Sequence, residues 1–370
     1  MTMTNPKQQS SQELFETFSN VNALWLGEHH NSREDHILQE HIIRSIHDLR
    51  MGRGKEGEGR QQHHNMAVGL EMVQKQFQPI LDDYIDGKLS SDELRRGVDW
   101  DRRWSWSYEN YLPIFETCRE LQIPLVALNV NSEDLGLVEI GGFPSLPKER
   151  ISQYISDPKG FAQFAKEPYY GQYVDYVIYP SYELHRDMGI LRTTITGQRL
   201  DEDMPFERFF SGRILWDESM ASNAYRWISK SSSTMMAKQQ EQQQEEAQSS
   251  SPQPLMIGLV GADHVKFVGG ITGRYDRMAA SSADDNKKTS LAVMLNPTLI
   301  DTRPSGSVSW MSNAEAYERG GVDRLTLQLR YVNPGVDRRS PSEERRLPQN
   351  TGGVLPLADY LLISSPSSSA

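Results

Sequence analysis

Five short runs along the chain are almost wholly apolar: NALWLG (22–27), MAVGLEM (66–72), PLVALNV (124–130), PLMIGLVG (254–261) and SLAVMLN (290–296). A strand with one wet face alternates apolar and polar residues, whereas a strand buried on both faces does not. The runs therefore predict a mostly parallel sheet flanked by helices on both faces. The segments between them carry helical spacing. Ile37, Leu38, Ile42, Ile46 and Leu49 share one helical face after the first run. Ser32 followed by Asp35 has the spacing of a capping box at the start of that helix, and SSDE at 90–93 repeats the pattern. Phe77, Ile80, Leu81, Tyr84 and Ile85 mark another helix, which stops at Gly87. This alternation predicts an α/β fold with right-handed crossovers.

Residues 143–230 break the rhythm: they are mostly helical in pattern and rich in aromatics, and are expected to form a helical lid over one end of the sheet. Residues 231–254 are low in complexity and are expected to lack structure, and 280–288 form a second polar insert. RLTLQLRYV (324–332) alternates as an antiparallel C-terminal edge would, and LPLADYLLIS (355–364) supplies one last strand. The whole of 1–370 is expected to be a single domain.

Composition narrows the function. The formal charge of -11 and the lack of a basic stripe argue against a nucleic-acid partner. No run of about 18 apolar residues exists, so no membrane span is expected. The first residues, MTMTNPKQQSSQ, lack the apolar core of a signal peptide. The single cysteine, Cys118, excludes a disulfide within the chain, a thiolate zinc site and covalent haem attachment. Its place in an apolar helical pattern assigns it to the core.

The chemistry gathers at strand ends. LWLGEHHN (24–31) places Glu28, His29 and His30 directly after a buried strand, and LVGADH (259–264) places Asp263 and His264 after another. Both are G-x-x-H, from Gly27 to His30 and from Gly261 to His264. Glu71 and Asn129 end two further runs. In open α/β sheets the carboxyl ends of the strands form the ligand-binding edge. If the strands are parallel neighbours, two imidazoles and several acids converge on one rim, as a metal site or acid–base chemistry requires. Buried strands otherwise have no reason to end repeatedly in ionisable groups. A single histidine at a strand end is more often solvated: His29 is the doubtful neighbour, free to point into solvent instead of the rim, His36 is expected to reach either rim or surface, and His41, His47, His63 and His64 to be solvated.

Tyr170, Tyr173, Tyr176, Tyr179, Tyr182 and His185 recur every third residue. On an α-helix that spacing drifts by about 60° per step, so they cannot all share a face. Some pack, and others are free to stack on or ligate a flat cofactor. Asp217 in ILWDESMASNAYRWI is a candidate to approach the rim on its helix. No Walker loop, G-x-S-x-G elbow or HExxH motif is present.

LWLGEHHNSREDHILQ, GLEMVQKQFQPILDDY, LVALNV, LWDESMA and LVGADHVKFVGGITGRY, in that order, resemble the ChaN-like haem-binding family of the haem-binding-uptake/Tiki superfamily, from about residue 12 to 363. Glu28, His30, Glu71 and His264 match its pattern; Asn31-Ser32 depart from the Asp-Asn that usually follows the first histidine. The resemblance implies a largely parallel sheet with a helical lid, and haem or iron handling. The polar inserts suit a eukaryotic relative, for which a plastid or another soluble compartment is open.

Two functions follow as expectations. In the first, the protein binds haem noncovalently at the rim, with His30, His264, Tyr170, Tyr173 or His185 as axial ligand; a homodimer sharing the ligand is compatible with this. In the second, it is a hydrolase of the Tiki or erythromycin esterase type, with Glu28 or Glu71 as general base and Glu28, His30 and His264 holding a divalent metal.

Overall fold

The computed structural model describes residues 10–52, 65–167, 170–242, 253–280, 290–298, 301 and 357–364. Six strands form one sheet: β1 (Ala23–Glu28), β2 (Met66–Gln74), β3 (Leu125–Asn129), β4 (Leu255–Gly261), β5 (Ser290–Leu295) and β6 (Tyr360–Leu362), in the order β3-β2-β4-β1-β5-β6. Every pairing is parallel. The five apolar runs are thus β1 to β5, within a residue or two at each end. The expected antiparallel edge is not what closes the sheet here: β6 runs parallel to β5, and 324–332 lie outside the described residues.

Residues in β1 to β5 are buried throughout, and their alternation divides two cores. Leu24, Leu26, Val68, Leu70, Ile257, Leu259 and Val293 face one layer, where helices Arg33–Gly52 and Tyr108–Glu120 contribute Ile42, Ile46, Ile114, Phe115 and Cys118. Ala23, Trp25, Ala67, Met256, Val260 and Met294 face the other, against helices Phe206–Gln242 and Ile271–Ala280. Cys118 is fully buried, as its pattern requires. The stretch read as a lid therefore ends in a helix that supplies a core face: Met220, Ala221 and Ala224 are buried under the sheet. That helix continues to Gln242, into the segment expected to lack structure, while 243–252 lie outside the described residues.

Two glycines let the strand ends interlock. A β carbon on Gly27 would stand 2.3 Å from Val265 Cγ2, and one on Gly261 would stand 2.7 Å from His30 Nε2. Each G-x-x-H element thus gives up a side chain to admit the other. β1 and β4 are in register to their ends, with Glu28 opposite Gly261, so the two loops leave the sheet side by side.

The tyrosine run is three pieces rather than one α-helix: Tyr170–Tyr173, a π-helical turn Val174–Ile178, and Tyr179–Asp187. The wider π turn rotates the second half relative to the first. No helix among the described residues is long and apolar enough to cross a membrane.

Candidate functional site

Glu28 is the last residue of β1 and only 1% exposed. Its Oε1 accepts from Tyr111 Oη at 2.5 Å and from His30 Nδ1 at 2.9 Å. Its Oε2 accepts from Gln39 Nε2 at 2.7 Å and lies 3.5 Å from His36 Nδ1. Burial works against the charge, yet the hydrogen bonds and charges of His30 and His36 hold its carboxyl far below the usual range. A carboxylate accepts only, so His30 Nδ1 carries a proton. Nε2 has no partner among the described residues, and it carries the lone pair when the ring is neutral. His30 is flanked by Trp106 and Trp104, with ring centroids 4.2 and 4.9 Å away. Its side chain keeps 18% of its surface exposed.

His264 is placed differently. Its Nδ1 lies 2.5 Å from Asp217 Oδ1, and its Nε2 lies 3.0 Å from Glu71 Oε1. Both nitrogens donate, so the ring is an imidazolium. Burial and the Arg213 charge oppose this, but Glu71 and Asp217 carry it up to about 9. Burial likewise opposes the charge on Glu71 and Asp217, and His264 nonetheless keeps both below their usual values. Asp217 also accepts from Tyr173 Oη at 2.9 Å.

Glu71 joins the two elements. It lies where the β2–β3 register shifts, between Leu70 and Gln74, and such irregularities re-aim side chains. One oxygen meets His264 and the other accepts the Gly261 N–H at 2.6 Å, beneath His30. The two histidines expected to converge therefore do so, about one carboxylate. Asn129 does not present its amide to them: it bonds the Glu71 carbonyl and its own neighbour's N–H.

Of the other residues singled out, Tyr173 reaches the network through Asp217. Tyr170 accepts from Arg274 in a separate buried cluster with Glu218. His185 bonds the Ser181 carbonyl and packs on Phe209, neither of which belongs to the rim. His29 does not point to solvent: its ring N–H groups donate to Asp301 and Asp35, and these bonds outweigh burial and raise it to about 10. Because Asp35 is spent on His29, the Ser32 cap has only its Asp35 N–H bond, whereas Ser90–Glu93 forms a full capping box. His36 is buried beside Glu28 and bonds the His30 carbonyl. His47, expected on the surface, is buried and pairs with Asp48.

Tyr111, Gln39, Trp104 and Trp106 were not legible as site residues, because each sits in an ordinary amphipathic or aromatic stretch. Asp217 carried a signal, an acid inside the apolar face of its helix. No group of three His, Cys, Asp or Glu among the described residues is arranged to hold a metal ion, so the divalent metal expected at Glu28, His30 and His264 finds no site there. Both His264 nitrogens and both Glu28 oxygens are already engaged.

Comparison with known proteins places the chain. The family model described as haem-binding uptake, Tiki superfamily, ChaN matches residues 14–274. Among solved structures, the chain is similar to ChaN of Campylobacter jejuni, whose structure is described as cofacial heme binding, at 16% identity, TM-score 0.46, over 79% of this chain and 88% of that one. It is also similar to an erythromycin esterase mutant, EreC, in its open conformation, at 12% identity, TM-score 0.34, over 79% and 74%. No curated protein matches.

Proposed function

The chain belongs to the haem-binding uptake, Tiki superfamily, ChaN family, and on that footing we propose that it binds haem noncovalently at the strand rim, with His30 Nε2 as the axial donor. One observation carries the reading: among the rim histidines, His30 alone keeps a ring nitrogen without a partner among the described residues, beside two tryptophan rings. Haem asks for a donor with a free lone pair and flat apolar surface next to it. Glu28 then acts by holding the His30 tautomer and ring plane, as carboxylates do behind ligating imidazoles. When bound, haem supplies an iron centre for a histidine; the protein supplies its orientation. His264 is the fixed cation of the rim rather than a second donor, and Tyr170, Tyr173 and His185 stand behind or away from it.

The test is a hemin titration followed by the Soret band. Wild type shifts the band, His30→Ala abolishes the shift, and Glu28→Gln weakens binding by roughly ten- to a hundredfold. Unchanged binding by His30→Ala sinks the reading. Sedimentation with and without hemin decides whether two copies share the ligand.

A second reading is favoured by the same Glu28–His30 pair. A carboxylate behind Nδ1 with a free Nε2 is also a general base. In a hydrolase of the Tiki or erythromycin esterase type, Nε2 would take a proton from water as its oxygen adds to a carbonyl carbon. Turnover of an ester and peptide panel, lost in His30→Ala and present without hemin, selects this reading over the first.

A further inference from the structure

Arg213 lies on helix Phe206–Gln242, one turn before Asp217 and therefore on the same face. Tyr173, Asp217, Asp263 and Glu71 are close enough to act on it electrostatically, and it acts on His264. All belong to the rim or its backing. Yet its Nε and Nη2 are shielded from solvent and meet no acceptor among the described residues. Arg274 and Arg277 differ in degree: each also leaves its Nε without a hydrogen bond, but their outer nitrogens meet Glu218 at 3.0 and 2.5 Å. Asp263 is not left over for Arg213 either, because it pairs with Lys266 at 2.7 Å. Buried donors without acceptors are costly, and a guanidinium fork matches a carboxylate with two parallel hydrogen bonds. Arg213 as a whole residue is half-buried rather than fully enclosed.

We infer that Arg213 anchors a carboxylate of the bound molecule, so that the rim selects an anionic ligand gripped at two points, His30 and Arg213. This deepens the haem reading and rests on it, since the carboxylates would be those at the edge of the macrocycle. Asp217 then has two tasks: it fixes His264 and keeps Arg213 at the rim by its charge.

The experiment compares hemin with hemin dimethyl ester, which lacks free carboxylates, on wild-type and Arg213→Met protein. Wild type is expected to prefer hemin by roughly ten- to a hundredfold, the range of a charge-assisted hydrogen bond. Arg213→Met erases the preference, and Arg213→Lys, which keeps the charge but not the fork, restores part of it. Equal binding of the two porphyrins by wild type, or a preference that survives Arg213→Met, overturns the inference. Should wild type bind neither porphyrin, the haem reading falls and succinate decides this one: a Tm raised in wild type but not in Arg213→Met supports it, and no rise overturns it.

Discussion

Gly261 lies directly under the His30 imidazole: a β carbon there would stand 2.7 Å from Nε2 and 3.6 Å from Glu71 Oε2. The glycine of one strand–loop element is thus a seat for the histidine of the other. Gly261→Ala should push His30 off its place against Trp104 and Trp106. The expected result is at least a tenfold loss of hemin affinity for a stability cost of about 1–3 kcal/mol. Parallel hemin titration and urea unfolding check it; full affinity with Gly261→Ala would mean that His30 does not need this seat.

Gly27 does the same for the second element, and the contact is with packed core rather than a ring tip. A methyl group would meet Val265 Cγ2 at 2.3 Å and the Ala262 Cα at 3.2 Å. Gly27→Ala is therefore expected to cost about 1–3 kcal/mol by overpacking and to misplace His264. Thermal unfolding measures it, and a Tm equal to wild type contradicts the interlock.

The His264 imidazolium makes stability depend on alkaline pH. Its folded value, raised to about 9, lies above the ordinary 6.5. The stabilisation it contributes is therefore complete below about pH 6.5 and lost as pH rises through about 9. Glu71 and Asp217 have the opposite sign: their lowered values contribute above the unfolded carboxylate range and are lost in acid. Stability should peak near pH 5–6.5 and fall by a few kcal/mol toward pH 9. Chemical denaturation at stepped pH tests this, with His264→Gln expected to flatten the alkaline limb.

Removing Asp217 leaves a buried imidazolium and the Tyr173 hydroxyl without their shared acceptor. Asp217→Ala should cost about 3–5 kcal/mol, the range for breaking a buried ion pair from one side. Tyr173→Phe, which deletes one hydrogen bond and leaves the ion pair, should cost only about 1 kcal/mol. Equal losses from the two would show that the carboxylate is not the hub.

Cys118 is fully buried among Ile114, Phe115 and Ile123, and burial pushes its thiol well above the usual range. The native protein should resist a thiol reagent at pH 8 and react with one equivalent only on unfolding. Fast native labelling, read by mass spectrometry, would contradict this packing.

The strands and their buried nature follow from the chain alone, since a segment apolar on both faces has no stable place except between two layers. So does the delivery of His30, Glu71 and His264 to one edge, because parallel strands must bring all their carboxyl ends there. Family membership was legible in the same blocks. Roles were not. Whether an imidazole is left with an open nitrogen or clamped at both depends on which groups surround it, and only some are local: Glu28 is two positions from His30, but Asp217 lies 47 from His264 and Tyr111 lies 83 from Glu28. Local spacing could assign Asp35 to a helix cap but not to His29, and it could not foresee that a π turn would split the tyrosine run. Sequence determined where ionisable groups gather; the packing of distant helices decided which of them remain available, because hydrogen bonds in a buried site are shared out among side chains that only the fold brings together.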